Sequence, residues 1–297
     1  MRVSLTSSTA MRFADGAPVR AASGIARYGA GWLVVQDDAT HGCLWSDGTG
    51  DALRLLPPVA GLETFEEASG TKALKPDLEA VVGLPSGTVF ALGSGSTDAR
   101  MRSVLLTPSG EIAVAALAPL YAAVTVALGI PADQLNLEGA CVVDDVLRWF
   151  QRGLPSAGAP TASVDVALDA LLAAAAGGPL DVPVLAAHSY DLGEVAGVGL
   201  AVTDAVTLDD GRVLVAAAAE DAPSTYDDGP VVGSALALLD GDRVVEVAEL
   251  PRLDGQVAKV EGLALAGRRD GRIDLVAVVD ADDPAIPSML LELSLVP

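Results

Sequence analysis

The sequence repeats one pattern five times, and this repetition restricts the possible folds more than any other feature. Each unit has an apolar segment, a tight turn, and a second segment rich in Val, Leu and Ala, which is the pattern of a β-hairpin. Weaker strand-like segments follow in several units. The units begin near residues 23, 78, 137, 198 and 260. Repeats of this length predict an all-β fold, a five-bladed β-propeller built from four-stranded antiparallel blades.

The two ends of the chain indicate how the ring closes. The fifth unit has only one further strand-like segment, "MLLELSLVP", while "RVSLTSST" precedes the first unit as an isolated strand. We therefore expect the N-terminal strand to complete the last blade, so that residues 1–297 form a single propeller domain. Residues 119–129 and 168–176 have helical composition and are predicted to lie between strands. A parallel α/β sheet is disfavoured because almost no helix separates the first and second strands of any unit.

Composition restricts partners and location. The chain of 297 residues has a formal net charge of −22. Nucleic acids and anionic membranes are excluded as partners because contacts with phosphate need an excess of Lys and Arg. The N-terminus has no apolar run of secretory length, which predicts a cytoplasmic protein. Cys43 and Cys141 lie inside apolar segments, so we expect two buried free thiols.

Three glutamates mark a candidate site. Glu79, Glu138 and Glu261 stand at the start of innermost strands, and long loops follow the second strands on the same face of the ring. Crowded carboxylates at a channel mouth lose hydration and repel one another, so they must share protons or bind a cation. Oxygen ligands favour Ca²⁺, with Mg²⁺ as the weaker candidate. In the structural alternative, the glutamates accept backbone N–H groups of the next blade as latches.

Other polar residues are predicted at the same rim. The ends of second strands and the loops after them carry Asp37, Asp38, His41, Ser94, Ser96, Arg100, Gln151, Arg152, Glu220, Asp221, Asp280 and Asp282. Arg100 and Arg152 can pair with the glutamates or bind an anionic substrate. Ser94, Ser96 and Gln151 are candidate substrate contacts, and His41 is a candidate proton carrier. The rim therefore predicts a small anionic or polar molecule as ligand.

Four phrases carry a resemblance to known propellers: "SGIARYGAGWLVVQDD", "DLEAVVGLPSGTVFALGSGS", "LNLEGACVVDDVLRWFQRG" and "KVEGLALAGRRDGRIDLVAVVDADDP". In their order they resemble the esterase-like phytase and SdiA-regulated propellers, and related bacterial propellers of unknown function. This resemblance implies a calcium-associated propeller with Glu79, Glu138, Glu261 and Asp280 at the metal. The fourth unit departs from the pattern, because it has "GVGLAV" where a glutamate is expected.

Two functions are consistent with these features. The first is a metal-assisted hydrolase of a small ester, lactone or phosphoester, in which Glu138 and Glu261 act on a bound water and Arg100 and Arg152 orient the substrate. The second is a non-catalytic ligand-binding or scaffold propeller with structural carboxylates. The sequence has no G-x-S-x-G, Walker or zinc motif, which argues against those classes of enzyme.

Overall fold

The computed structural model describes residues 1–153, 159, 161–221, 229–281, 283 and 285–296, and these form a five-bladed β-propeller. The N-terminal strand β1 spans Arg2–Ala10. The first blade contains β2 (Ala22–Tyr28), β3 (Gly31–Gln36), β4 (His41–Ser46) and β5 (Thr49–Arg54). The second blade contains β6 (Leu78–Gly83), β7 (Val89–Gly93), β8 (Arg102–Leu106) and β9 (Ile112–Ala116). Strands are antiparallel in chain order within each blade.

The remaining blades follow the same order. The third contains β10 (Leu137–Val143), β11 (Val146–Gln151), β12 (Thr161–Ala167) and β13 (Val184–Tyr190). The fourth contains β14 (Glu194–Val195), β15 (Val198–Thr207), β16 (Val213–Glu220), β17 (Val231–Asp240) and β18 (Arg243–Glu249). The fifth contains β19 (Val260–Arg269), β20 (Arg272–Val279) and β21 (Met289–Val296). The innermost strands β2, β6, β10, β15 and β19 contact one another in a closed ring around the channel.

The N-terminal strand closes this ring, as the sequence predicts. β1 pairs with β21 from Arg2 opposite Val296 to Ala10 opposite Met289. The half-buried Val3 and Leu5 pack against the apolar core between the fourth and fifth blades. Closure through a strand from the other end of the chain leaves no open gap between blades, and it ties the fold of the last blade to the first residues.

Two helices cover the junction of the second and third blades. α1 (Ala118–Leu128) and α2 (Leu168–Ala175) lie close to both predicted helical segments. Both pack into one apolar cluster around Trp149 and Tyr121. Within the described residues, no helix has the length and apolar character needed to cross a membrane. Cys43 and Cys141 are buried and free, as expected.

The same irregularity occurs in every innermost strand, at the second residue of the strand in four blades and at the sixth residue of β15 in the fourth. Pairing with the second strand skips one or two residues in each blade. The skipped positions include Ser23, Glu79, Glu138, Thr203 and Glu261. A β-bulge leaves its extra residue out of the ladder and turns its side chain aside. Ser23, Glu79, Glu138 and Glu261 line the channel mouth, whereas the Thr203 hydroxyl donates to the carbonyl of Val260. Thr203, and not a residue of "GVGLAV", therefore takes the glutamate position in the fourth blade.

The strand packing next to the bulges explains why Gly or Ala follows the glutamates. The residues concerned directly follow Ser23, Glu79, Glu138, Thr203 and Glu261. These residues are Gly24, Ala80, Gly139, Asp204 and Gly262, and we call them the belt. A Cβ at Gly139 would lie 2.3 Å from the Cα of Asp204, and one at Gly262 would lie 2.8 Å from the Cα of Gly24. At the three glycines of the belt, the neighbouring atoms leave no room for a Cβ. The belt thus narrows the channel directly below the mouth.

Candidate functional site

A cavity of about 150 Å³ occupies the channel mouth. Seven carboxylates and five cationic side chains are among its described lining residues: Asp37, Asp77, Glu79, Asp133, Glu138, Glu261, Asp280, Lys72, Lys75, Arg100, Arg152 and Lys259. The lining is thus net negative if every group is ionised. We call this space the mouth cavity.

Most of the predicted site residues meet there. Glu79, Glu138, Glu261, Asp280, Arg100, Arg152 and Ser96 all line the mouth cavity. Ser94 and Gln151 are fully buried and do not line it. Ser94 donates a hydrogen bond to Asp77, while Gln151 accepts the backbone N–H of Asn136 at 2.9 Å. These two residues therefore position neighbours of the cavity. Asp282 lies outside the described residues.

His41 is placed elsewhere. It opens the third strand of the first blade, and its ring lies 5.8 Å from the ring of Phe13. It lines a separate cavity of about 510 Å³. The residue before it is tied to another loop, since the Thr40 N–H donates to the carbonyl of Glu63 at 2.9 Å. The structure therefore does not bring His41 to the mouth cavity.

One half of the mouth cavity is built around Asp77. The Nζ of Lys75 lies 2.5 Å from Asp37 and 2.6 Å from Asp77, and the Nη1 of Arg100 lies 2.8 Å from Asp77. Although burial alone would raise it, these two cations hold the pKa of Asp77 below its usual value. Burial raises the pKa of Asp37, and Lys75 only partly opposes this effect.

Glu79 completes this half. Its carboxylate, with those of Asp37 and Asp77, offers oxygen atoms that all lie within 4.8 Å of one another. Within the described chain, no donor makes a hydrogen bond to the Glu79 carboxylate. Burial, followed by the charges of Asp77, Asp37 and Glu138, raises the pKa of Glu79 well above its usual value. These surroundings therefore favour a proton on Glu79, or a cation beside it.

The other half of the mouth cavity joins three blades through ion pairs. Arg152 contacts Glu138 at 3.1 Å and also pairs with Glu220. Lys259 lies 2.9 Å from Glu261 and 3.3 Å from Glu220. Although burial opposes it, the charges of Arg152 and Lys259 lower the pKa of Glu220. In this half, the carboxylates are thus mostly neutralised by ion pairs with Arg152 and Lys259.

Glu138 is poised between its two protonation states. Burial raises its pKa to about 7, against the opposing charge of Arg152 and with the help of Glu261. The Nδ2 of Asn136 donates to its Oε1 at 2.9 Å. A carboxylate with a pKa near neutrality, held by two donors beside a cavity, has the properties of a general base.

The lysines are the site residues that the sequence interpretation missed. The sequence has only three, Lys72, Lys75 and Lys259, and all of them line the mouth cavity. Two of them directly precede the glutamate phrases, in "KPDLE" and "KVE". In a chain that otherwise uses arginine, this placement was the signal that could have revealed the ion pairs.

Hydrogen bonds that latch one blade to the backbone of the next are made in the two blades that have no glutamate at this position. The hydroxyl of Ser23 donates to the carbonyl of Leu78 at 2.5 Å, and that of Thr203 donates to the carbonyl of Val260 at 2.6 Å. Each bond joins one innermost strand to the next blade. Asp204 adds a further latch because it accepts the Leu263 N–H at 2.6 Å. Glu138, which takes the position of Ser23 and Thr203 in the third blade, instead accepts hydrogen bonds from the side chains of Asn136 and Arg152.

The raised pKa of Glu79 predicts how stability depends on pH. Because its folded pKa lies above the usual 4.5, folding takes up a proton and stability falls as pH rises above that value. In metal-free buffer at pH 8, we expect Glu79→Gln to be more stable than wild type, because the amide needs neither a proton nor a cation at this buried position. The gain should vanish toward pH 4.5. Urea unfolding measures it, with the exposed Glu249→Gln as control, and a Glu79→Gln protein less stable at pH 8 would refute it.

Comparison with known proteins supports the fold and leaves the reaction open. The profile of a family of unknown function, DUF6910, matches residues 71–284. No curated protein matches the sequence significantly. A hypothetical protein from Leishmania major is 14% identical, with 97% of this chain and 90% of that chain covered and a TM-score of 0.50. At this identity the likeness concerns the fold alone.

Two further solved structures have a lower TM-score. A gluconolactonase from Xanthomonas campestris is 13% identical over 96% of this chain and 73% of its own, with a TM-score of 0.36. A luciferin-regenerating enzyme is 8% identical over 92% of this chain and 77% of its own, with a TM-score of 0.45.

Proposed function

The chain belongs to this family of unknown function, DUF6910, and we propose that it is a metal-assisted hydrolase of a small ester or lactone. In this proposal Asp37, Asp77 and Glu79 hold a divalent cation at the channel mouth, and Glu138 is the general base.

The carboxylate cluster is the observation that carries the proposal. Three carboxylates within 4.8 Å of one another supply hard oxygen ligands of the kind that Ca²⁺ prefers and Mg²⁺ also accepts. Lys75 neutralises part of the charge of Asp37 and Asp77 but makes no hydrogen bond to Glu79. A cation would offset the negative charge that remains. The residues present therefore fit a divalent ion.

The ligand set differs from the one that the sequence resemblance implies. Glu138 is held by Arg152, and Glu261 by Lys259. The carboxylate of Asp280 accepts the Ala21 N–H at 2.9 Å. These three carboxylates are not part of the three-residue cluster, whereas Glu79 is. The proposal keeps Glu79 as a ligand and assigns the other two positions to Asp37 and Asp77.

The neighbouring residues supply the remaining chemistry. A bound divalent cation would polarise a carbonyl group and lower the pKa of water. Glu138, with a pKa of about 7, can take the proton of the attacking water at its carboxylate and return it to the leaving oxygen. Arg152 and Lys259 line the same cavity, where their charges favour the oxyanion that forms when the carbonyl is attacked.

Charge and size restrict the substrate. With a divalent cation bound, the seven carboxylates and five cationic side chains of the lining would carry no net charge. Arg100 and Arg152 already pair with carboxylates, which favours a neutral ester or lactone over a phosphoester. A cavity of about 150 Å³ is smaller than ordinary ligand pockets. We therefore expect only the reacting group and a few neighbouring atoms to enter.

An activity panel tests this function. EDTA-treated protein is assayed on five- and six-membered lactones, aryl esters and a phosphomonoester, with and without Ca²⁺ or Mg²⁺. We expect cation-dependent hydrolysis of lactones or esters, and a loss of kcat of at least about 100-fold in Glu138→Gln. Glu249→Gln is the surface control. Absence of hydrolysis, or a Glu138→Gln protein as active as wild type, would refute the hydrolase.

The same assay addresses the alternative function. The ion pairs of Arg152 and Lys259 join the third, fourth and fifth blades, and this feature supports a ligand-binding or scaffold propeller with structural carboxylates. In that function a small polar or anionic molecule would bind at the mouth without reacting. Cation binding without turnover of any substrate would favour it.

A further inference from the structure

A second cavity lies at the opposite end of the channel, on the face of the short hairpins. Its volume is about 250 Å³, and we call it the lower well. All five innermost strands contribute to it, each with apolar residues: Ala26, Val82, Ala140, Val206 and Leu265. The ring of Trp32 lies at the same cavity. The lower well is therefore mainly apolar, unlike the mouth cavity.

The belt separates the two cavities. They share no lining residue, and on β2, β6, β10 and β19 a belt residue lies between the two sets. In the third blade, for example, Glu138 lines the mouth cavity, Gly139 belongs to the belt, and Ala140 lines the lower well. The close approach of Gly139 and Asp204 narrows the channel between them. The lower well is thus a separate site with its opening on the hairpin face.

One charged group stands at the lower well. Arg27 is the only charged residue among its described lining residues. Its guanidinium lies 4.3 Å from the centre of the Trp32 ring, and its Nη1 donates to the carbonyl of Ala30 at 3.3 Å. Within the described chain, no carboxylate forms an ion pair with Arg27. In a protein with a net charge of −22, this is a cation available to a ligand.

The polar atoms of the remaining wall are occupied or neutral. The hydroxyl of Thr207 donates to the carbonyl of Val142 at 2.6 Å. Burial raises the pKa of the Cys141 thiol to about 12, so that it carries no charge. The wall therefore offers a ligand mainly apolar contacts. Displacing water from this apolar surface favours binding.

We propose that the lower well binds a straight-chain alkyl carboxylate, with the alkyl chain inside the well and the carboxylate on the guanidinium of Arg27. A volume of 250 Å³ accommodates about eight groups of the size of a water molecule, which is close to the size of a methylene. The fitting ligand is thus a monocarboxylate of about eight carbons. This site is independent of the proposed hydrolase chemistry at the mouth.

Titration of the full-length protein with alkanoates from butanoate to decanoate tests the proposal. Binding is measured by calorimetry. We expect the affinity to tighten about fourfold for each added methylene and to level off near eight carbons. Arg27→Gln should weaken octanoate by about tenfold and leave octanol unchanged, because only the carboxylate uses the guanidinium.

The location is tested by filling the lower well. A Cβ at Gly83 has its nearest neighbour at 3.6 Å, so Gly83→Leu places a side chain in the well without backbone strain. It should weaken octanoate by more than tenfold, while Gly267→Leu, where a Cβ meets nothing within 4 Å, should not. If Gly83→Leu lowers the melting temperature, Val206→Phe serves as the test variant instead, because it fills part of the same well.

Fluorescence gives a second readout of location. Trp45 and Trp149 are buried, whereas Trp32 lines the lower well. Bromohexanoate should therefore quench tryptophan fluorescence in wild type and not in Trp32→Phe. Affinity that is independent of chain length, unchanged binding in both filled variants, or quenching that persists in Trp32→Phe would each overturn the proposal.

Discussion

Deleting residues 1–9 should lower the free energy of unfolding by at least about 3 kcal/mol. Met1, Val3 and Leu5 are the partly buried residues that this segment packs against the core between the fourth and fifth blades, at roughly 1 kcal/mol each. The deletion also leaves the edge of β21 without its ladder partner. Because the last blade then lacks its fourth strand, the whole ring should lose stability in one transition. Chemical denaturation followed by circular dichroism measures the loss.

A peptide provides the control for this deletion. Adding a synthetic peptide of residues 1–10 to the truncated chain should restore the melting temperature. The same peptide with Val3 and Leu5 changed to Asp should not, since those side chains face the core. A truncated chain that melts like the intact protein would contradict closure by this strand.

Arg152→Met should cost about 3–5 kcal/mol, the usual effect of removing one partner from a buried ion pair. Methionine keeps much of the side-chain volume but leaves Glu138 and Glu220, both nearly buried, without their shared guanidinium. The loss should be largest at pH 8. It should shrink toward pH 5, because the carboxylates then take up protons and no longer need a positive partner. Urea unfolding at both pH values measures it.

An exposed ion pair supplies the matched control. Arg54 pairs with Glu63 at the surface, and both side chains are about half exposed. Arg54→Met should therefore change stability by no more than about 1 kcal/mol. The double variant Arg152→Met/Glu220→Gln should recover part of the loss. If Arg152→Met costs no more than Arg54→Met, the ion pairs of the mouth are not stabilising.

The fold could be predicted because it follows from local patterns. The hairpin turns require residues with φ > 0, and Gly87 and Gly211 adopt φ of +81° and +82° there. The isolated N-terminal strand and the incomplete last unit together predicted ring closure. The short hairpin of β14 and β15 was not predicted. Its turn uses Ala196 at φ +52°, a conformation that alanine rarely adopts and that the sequence pattern does not indicate.

The position of the glutamates could be predicted, but their partners could not. Each stands at the start of an innermost strand, which a linear pattern shows. Arg152 joins Glu138 to Glu220, and Lys259 joins Glu261 to the same Glu220. These pairs depend on the approach of neighbouring blades and on β-bulges, which spacing along the chain does not encode. Thr203 was not predicted as the equivalent of the glutamates, because its bulge lies five residues after the start of β15 and the sequence does not show bulges.

The carboxylate cluster and the position of His41 were also not predicted from the sequence. Asp37 and Glu79 come from different blades, so their proximity is a tertiary feature that no motif spacing reports. His41 follows an acidic loop in the sequence, yet hydrogen bonds of that loop to residues near Glu63 carry it away from the channel. Functional residues on loops are the hardest to place, because their backbone is fixed by contacts made elsewhere in the chain.

Calorimetric titration of Ca²⁺ into EDTA-treated protein tests the central claim most directly. Wild type and Glu261→Gln should each bind one ion, whereas Glu79→Gln should show no binding. At an ion concentration of about a hundredfold over the dissociation constant, wild type should also gain about 2.7 kcal/mol of stability. Absence of binding and of stabilisation in wild type, or equal affinity in wild type and Glu79→Gln, would contradict a cation site formed by Asp37, Asp77 and Glu79.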